Sequence, residues 1–411
     1  MTAKPPAPPR QPAFLFIFIT VTLDLVAVGI VAPGLPKLVT DFQGGSIADA
    51  ALWTGLLATL WAAMQFFAAP IMGSLSDHFG RRPVILASNI GLGLDYILMA
   101  LAPSLGWLVL GRVLSGITSA SYPTAAAYIA DVTPPEKRAA RYGMLGAAFG
   151  LGFVVGPALG GLLGHIDLRL PFWVAAGLSL ANALYGLIIL PESLPPALRR
   201  PFSLRSANVI GSLRLLRSHP ELGGLALVLF TMALAHEALP SLFVLYTDQR
   251  YGWNAATVGL ALSAIGIGSS LVSMLLVRPA ARSLGERRTA LIGLVLGVAA
   301  YGVFGVAPTG ALFLAGIALV ALYGIAGPAI QSLMSQRADP TVQGHLQGAI
   351  GSLRAITGMV GPLLFTQLFS TVVAGGGQGV VLGAPYLLAA ALLLTGLLLA
   401  LRVLPRDTRQ P

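Results

Sequence analysis

Gly73–Pro83 reads GSLSDHFGRRP. The stretch sets Asp77, His78, Arg81 and Arg82 between two long apolar runs, in a chain that is 56% hydrophobic and 10% charged. A weaker copy, RPAARSLGERR at Arg278–Arg288, follows 205 positions later. A charged turn between apolar runs, met twice at a fixed distance, predicts a helical membrane protein with an internal repeat.

Working outward, the mean hydropathy of +0.82 excludes an ordinary soluble domain. A bilayer core needs about 20 apolar residues per helix. Twelve such runs occur: 13–34, 51–74, 84–102, 105–129, 141–164, 170–190, 222–246, 255–277, 288–307, 310–334, 345–369 and 380–401. The short alternating strands of a barrel are absent, so the expected class is an all-α membrane bundle. The 49 glycines and 29 prolines agree with membrane helices. With no cysteine, disulfides, thiol catalysis and cysteine-ligated metal are excluded.

The net charge of +10 raises nucleic acid as a partner, and its placement argues against one. If the N-terminus is cytoplasmic, only Lys37, Arg169 and Arg250 of the 25 Lys and Arg fall on the far side, while Arg112 and Arg354 fall inside spans. The others occupy the even-numbered loops and both tails, which is the positive-inside bias. The basic balance thus records topology and some affinity for anionic headgroups. Residues 1–12, Pro-rich, read as a disordered cytoplasmic tail. The first run lacks a small-residue cleavage site and holds Asp24, so it reads as a retained helix.

The offset of 205 also matches Gly80 to Gly285, Tyr96 to Tyr301, Pro123 to Pro328, and Gly156-Pro157 to Gly361-Pro362. Two parallel six-helix bundles are therefore expected, at 13–190 and 221–403, with a cytoplasmic linker at 191–220 carrying perhaps one surface helix, and a short tail at 404–411. Two similar bundles around a shared site imply alternating access.

GSLSDHFGRRP, LGRVLSG (Leu110–Gly116) and the set Gly143, Gly152, Gly156-Pro157 and Gly160-Gly161 together resemble the major facilitator superfamily: its loop 2–3 signature, its helix-4 arginine motif and its helix-5 antiporter motif. DHFGRRPVILASNIGLGLDYILMALAP, YIADVTPPEKRA and LGERRTALIGLVLG are similar to the bacterial tetracycline/proton antiporters and drug-efflux relatives. The resemblance implies a proton-coupled exporter of small amphipathic molecules in the bacterial inner membrane, acting as a monomer, with no cofactor beyond the proton gradient and no enzymatic activity. That group carries a His in helix 8 and an Asp in helix 9, where this chain has Ser269 and Gly297.

Five charges lie inside predicted spans: Asp24, Asp95, Arg112, Glu237 and Arg354. Each costs about 2.5–3.5 kcal/mol at a helix centre on insertion scales, so such groups face a cavity or one another. Asp24, Asp95, Arg112 and Glu237 are the expected proton-coupling residues, and the plain alternative for each is a structural ion pair or hydrogen bond. Desolvation favours a protonated carboxyl and a guanidinium favours a charged one, so movement of Arg112 relative to Asp24 is the expected switch. Arg354 and His236 are expected charge partners, with Glu237 pairing to Arg354. His236-Glu237 begins like a zinc-protease HExxH, but Pro240 stands in fifth place and that reading fails.

Asp77, Gly80, Arg81, Arg82 and Asp131 read as a gate, with Asp131 or Glu136 as acidic partner. The plain alternative is that the arginines only fix orientation. Gly152, Gly156 and Pro157 are expected to bend helix 5 and pack across the interface between bundles. Gln65, Tyr122, Tyr323 and Gln331 are candidate substrate contacts, or else ordinary interhelix hydrogen bonds. The lost helix-8 and helix-9 residues, with Arg354, keep a second reading open: a proton-coupled carrier of organic anions or metabolites, import included. A sensor or enzyme on the same fold is the remote third, since no nucleophile–base or metal-ligand set occurs. No GxxxxGK[ST] occurs either, so direct ATP drive is not expected.

Overall fold

The structure, a computed structural model, describes residues 11–119, 121–202, 220–338 and 343–404. All of its long elements are helices. The first half of the chain holds α1 (Gln11–Val31), α2 (Gly34–Phe42), α3 (Ile47–Phe79), α4 (Arg81–Leu101), α5 (Leu105–Thr118), α6 (Ser121–Val132), α7 (Pro135–Ile166) and α8 (Leu170–Ile189). The second holds α9 (Pro220–His236), α10 (Ala238–Tyr251), α11 (Ala255–Leu275), α12 (Val277–Val306), α13 (Gly310–Tyr323), α14 (Ala326–Arg337), α15 (Gln343–Ala374) and α16 (Ala384–Val403). Gln11 and Pro12, read as tail, form the first turn of α1, where a proline's missing N–H costs nothing. The rest of that tail, most of the linker and 405–411 lie outside the described residues.

Eleven of the expected runs are long and apolar enough among the described residues to cross a membrane. The remaining run, 105–129, is divided between α5 and α6. At 1.5 Å per residue neither piece alone crosses a core of ~30 Å.

Four spans are broken, and the breaks have one cause. Each falls four residues before a proline: Ala32 before Pro36, Ser119 before Pro123, His236 before Pro240 and Gly324 before Pro328. A proline removes the i→i−4 hydrogen bond and its ring crowds the carbonyl four residues earlier. The breaks also obey the repeat. Ala32 stands 205 positions before Glu237, which joins α9 to α10, and Ser119 stands 205 before Gly324. The charged turns do likewise. Gly80 and Gly285 both take positive φ, 110° and 76°, a region that glycine enters freely. The chain thereby turns from α3 into α4, and kinks within α12, at matching places.

The two halves meet along α7–α11 and α3–α15. Thr59 donates to the Met359 carbonyl at 2.8 Å and Ser263 to the Val154 carbonyl at 2.6 Å. Gly161 lies so close to Gly259 that a Cβ there would sit 2.8 Å from its Cα. The other glycines expected at this interface pack inside their own half. Gly152, Gly156 and Gly160, spaced by four, form one stripe against Leu25, Gly29 and Ile30 of α1. Gly161 is rotated ~100° from that stripe and faces the other half together with Pro157 one turn before it, as expected of Pro157: a Cβ on Gly259 would collide with the Pro157 carbonyl. At the arginine-rich ends of the same helices a Cβ on Gly73, Gly143, Gly146 or Gly351 would meet nothing within 4 Å. The halves thus touch toward the far face and part toward the arginine-rich face.

Gly156→Val pushes a side chain into the Gly29 backbone and is expected to cost about 1–3 kcal/mol of stability, as overpacking does. Gly146→Val, in open space, is expected to leave the unfolding midpoint of the purified protein within error. Thermal shift of both variants checks the contrast.

Candidate functional site

Thr20 and Asp24 share the stripe of α1 that packs on α8. Asp24 is 5% exposed. Asn182 of α8 donates from Nδ2 to Asp24 Oδ1 at 2.8 Å and to the Thr20 carbonyl at 2.9 Å. Asn89 of α4, with its amide nitrogen turned to the carboxylate, lies 3.0 Å from both Asp24 oxygens. Two neutral amides therefore hold this acid behind α1. Each is the one amide side chain in its largely apolar run, a signal the sequence carried and the site prediction did not use.

The Arg112 guanidinium goes to Asp95, not to Asp24 as expected. Its Nη2 lies 3.4 Å from Asp95 Oδ2 and 3.1 Å from Met99 Sδ. The cause is local packing. α4 lies against α5, and Gly111, just before Arg112, leaves room for the carboxylate: a Cβ there would sit 2.5 Å from Asp95 Oδ1. Asp95 is fully buried.

In the second half, Glu237 forms the junction of α9 and α10. Its side chain lies on α15 over two glycines: a Cβ on Gly361 would sit 2.5 Å from Glu237 Cβ, and one on Gly358 4.0 Å from Oε1. The expected Glu237–Arg354 ion pair is not formed among the described residues. Arg354 is on the same stripe of α15 but seven residues from Gly361, ~10 Å along the axis. Its charge acts instead on His236.

The loop 2–3 motif is a connected network. Arg81 pairs with Asp77 at 2.5 Å and with Asp131 at 3.1 Å, and donates to Ser76 Oγ at 3.0 Å. Glu192, which sequence reasoning missed, accepts from the backbone N–H of Arg81 at 2.9 Å and of Arg82 at 3.3 Å. It seats against Gly80, where a Cβ would collide with its carboxylate. Arg82 donates to the Leu187 carbonyl. Glu136, the other suggested acid, is exposed and takes no part in these contacts.

The far face has its own tie, also missed. Lys37 at the end of the first span donates to Asp248 at 3.1 Å and to the Trp253 carbonyl at 3.2 Å, across the two halves.

The candidate substrate contacts scatter. Gln65 donates to Ser119 Oγ at 3.1 Å, bracing the α5–α6 break. Tyr323 is 7% exposed, its ring against Gly297. That ring fills the space a helix-9 side chain would need. Gln331 is half-buried in α14, and the Tyr122 side chain lies outside what the structure describes.

Buried acids in two repeated, proline-broken bundles with a charged turn between spans two and three are matched by one family model, the Major Facilitator Superfamily, over residues 17–362. The chain belongs to that superfamily. It is a multi-pass membrane transporter. Tetracycline resistance protein, class C, of Escherichia coli is 40% identical over 359 residues, 87% of this chain and 90% of that protein. The class D protein of Salmonella ordonez is 36% identical over 397 residues, 97% and 98% of the two chains. Among solved structures, the nucleoside transporter NupG superposes with a TM-score of 0.77 at 13% identity, covering 96% of this chain and 100% of that one. The human organic anion transporter MFSD10 (TETRAN) gives 0.70 at 24%, with the same coverage. Both establish the fold alone.

Reversing the sign of Lys37 or of Asp248 is expected to lower transport at least several-fold. The double swap Lys37→Asp with Asp248→Lys is expected to restore most of it, as measured by initial rates in vesicles. A double swap no better than the singles removes the tie from the transport cycle.

Proposed function

We propose that this transporter is a proton-coupled exporter of small amphipathic molecules in the bacterial inner membrane. It works as a monomer of two six-span bundles, with both chain ends cytoplasmic, and tetracyclines are the first substrates to test. The observation that carries the reading is Asp24, an acid buried mid-span between the neutral amides of Asn89 and Asn182. Amides stabilise the carboxylate by hydrogen bonding, and the two here are neutral. Asp95 differs. Protonating it leaves Arg112 without its ion-pair partner, which is costly in a buried site. Asp24 thus carries the proton, and the Asp95–Arg112 pair sets the relation of α4 to α5. Glu237, at a helix break in the other half, is the second acid able to exchange a proton. The proton gradient is the energy source.

The orientation follows from the arginine-rich face, which is cytoplasmic under the positive-inside rule. The arrangement is then the cytoplasm-open state, with the far face held by Lys37–Asp248. Arg81 is satisfied within its own half in this state. In the opposite state Asp77 turns to a helix N-terminus of the second half, where a carboxylate is favoured.

Asp24→Asn is expected to abolish pH-gradient-driven tetracycline uptake into inverted vesicles while leaving binding within about threefold. Full gradient-driven uptake in this variant overturns the assignment. Asp77→Asn is expected to slow turnover about tenfold or more with little change in half-saturation; a large loss of affinity at unchanged maximal rate contradicts a gating role.

A further inference from the structure

Arg354 is the intramembrane charge that the transport cycle above leaves unused. Among the described residues it forms no ion pair, and its side chain is exposed. Its place on α15 identifies the surface it faces. Val360 and Leu364 mark the outer face, at 51% and 37% exposure. Arg354 lies on another stripe, with Gln347, Gly351, Gly358, Gly361 and Phe365. Toward the far face this stripe is covered by the α9–α10 junction, for Gly361 meets Glu237 and Phe365 is fully buried. Toward the arginine-rich face Gln347, Gly351 and Arg354 are exposed on it. The guanidinium therefore stands where the packed stripe opens into the space between the halves.

His236 completes the picture. It ends α9 at the proline-induced break, its side chain is exposed, and it lies near enough to feel the charge of Arg354. Between the guanidinium and the Glu237 carboxyl, Gly358 puts no side chain in the way. The second half thus sets a cation, a glycine and an acid in line along one stripe of α15, with His236 next to the acid in the chain.

We propose that Arg354, assisted by His236, binds the acidic group of an amphipathic substrate, so that the exported molecules are organic acids or carry an acidic group. This deepens the exporter reading and rests on it for the direction of transport. A guanidinium matches a carboxylate in two parallel hydrogen bonds. Arg354 makes no ion pair in the cytoplasm-open state, where substrate enters, and is therefore available to pick it up. Proton and substrate then occupy different halves: the proton on Asp24 behind α1, the acid on Arg354.

The test is equilibrium binding of 2-naphthoate and of 2-naphthamide to the purified full-length protein in phosphatidylcholine nanodiscs. The two probes share an apolar body and differ in charge. The native protein is expected to bind the acid about tenfold more tightly than the amide, the worth of one charge-assisted hydrogen bond. Arg354→Gln is expected to erase that ratio while retaining amide binding, and Arg354→Lys to keep part of it. Because the readout is a ratio of two ligands on one sample, a misfolded variant loses both and is recognised. The proposal is overturned if the native protein shows no preference for the acid, or if the preference survives in Arg354→Gln. A preference that behaves as expected, without gradient-driven naphthoate accumulation in inverted vesicles, supports the subsite and strikes the exporter reading instead.

Discussion

A charge inside hydrocarbon has to be answered by another group, and the interior of this transporter is organised by how each one is answered. Arg112 is met by Asp95, with Gly111 thinned to let the carboxylate in. Asp24 is met by amides from two neighbouring spans. Glu237 lies at a helix break, over two glycines. Arg354 is exposed and forms no ion pair among the described residues. These four solutions differ in how readily each group changes its proton or partner. A carboxyl paired to a guanidinium cannot be neutralised without cost to the pair. Chemistry is thereby divided among residues that look alike along the chain.

Glycine and proline supply the geometry in which those answers are possible. Hydrocarbon gives helices no reason to associate beyond packing and polar contacts, so close approach at small residues matters more than in water. Gly152, Gly156 and Gly160 seat α1 on α7, and Gly161 seats α11 on the same helix from the other side. The helix-5 motif therefore serves both the rigidity of one bundle and the contact on which the bundles move. Prolines do the complementary work. Pro36, Pro123, Pro240 and Pro328 each break a span four residues upstream, whereas Pro70, Pro157 and Pro362 lie within continuous helices, and the break before Pro240 sets His236 and Glu237 at mid-span.

The polar ties at the two ends of the molecule are unequal. Lys37–Asp248 joins the halves at the far face. The larger network around Arg81, Asp131 and Glu192 closes on itself within the first half. Such asymmetry is what a two-state transporter needs, because the contacts that hold one face shut are made by groups that find other partners when that face opens.

Much was legible along the chain, because the rules that apply are local. Hydrocarbon thickness sets the length of an apolar run, so the spans could be counted. An offset of 205 survives in glycines and prolines because turns and breaks demand those residues, and Gly80 and Gly285 do take positive φ. Asp24, Asp95, Arg112, Glu237 and Arg354 stood out as charges without water. Their partners did not. Asp24 and Asp95 are each a lone acid in an apolar run, and nothing in the order of residues says which one faces Arg112. Glu237 and Arg354 balance in charge yet stay apart, because the stripe of α15 that meets Glu237 carries glycines and holds Arg354 further along. Rotating a helix by ~100° exchanges one neighbour for the next, and that rotation is decided by packing summed over the whole bundle. The sequence by itself determined which residues must be answered in the membrane; only the tertiary structure decided by what, since the answer depends on helices far apart in the chain and on how each is turned.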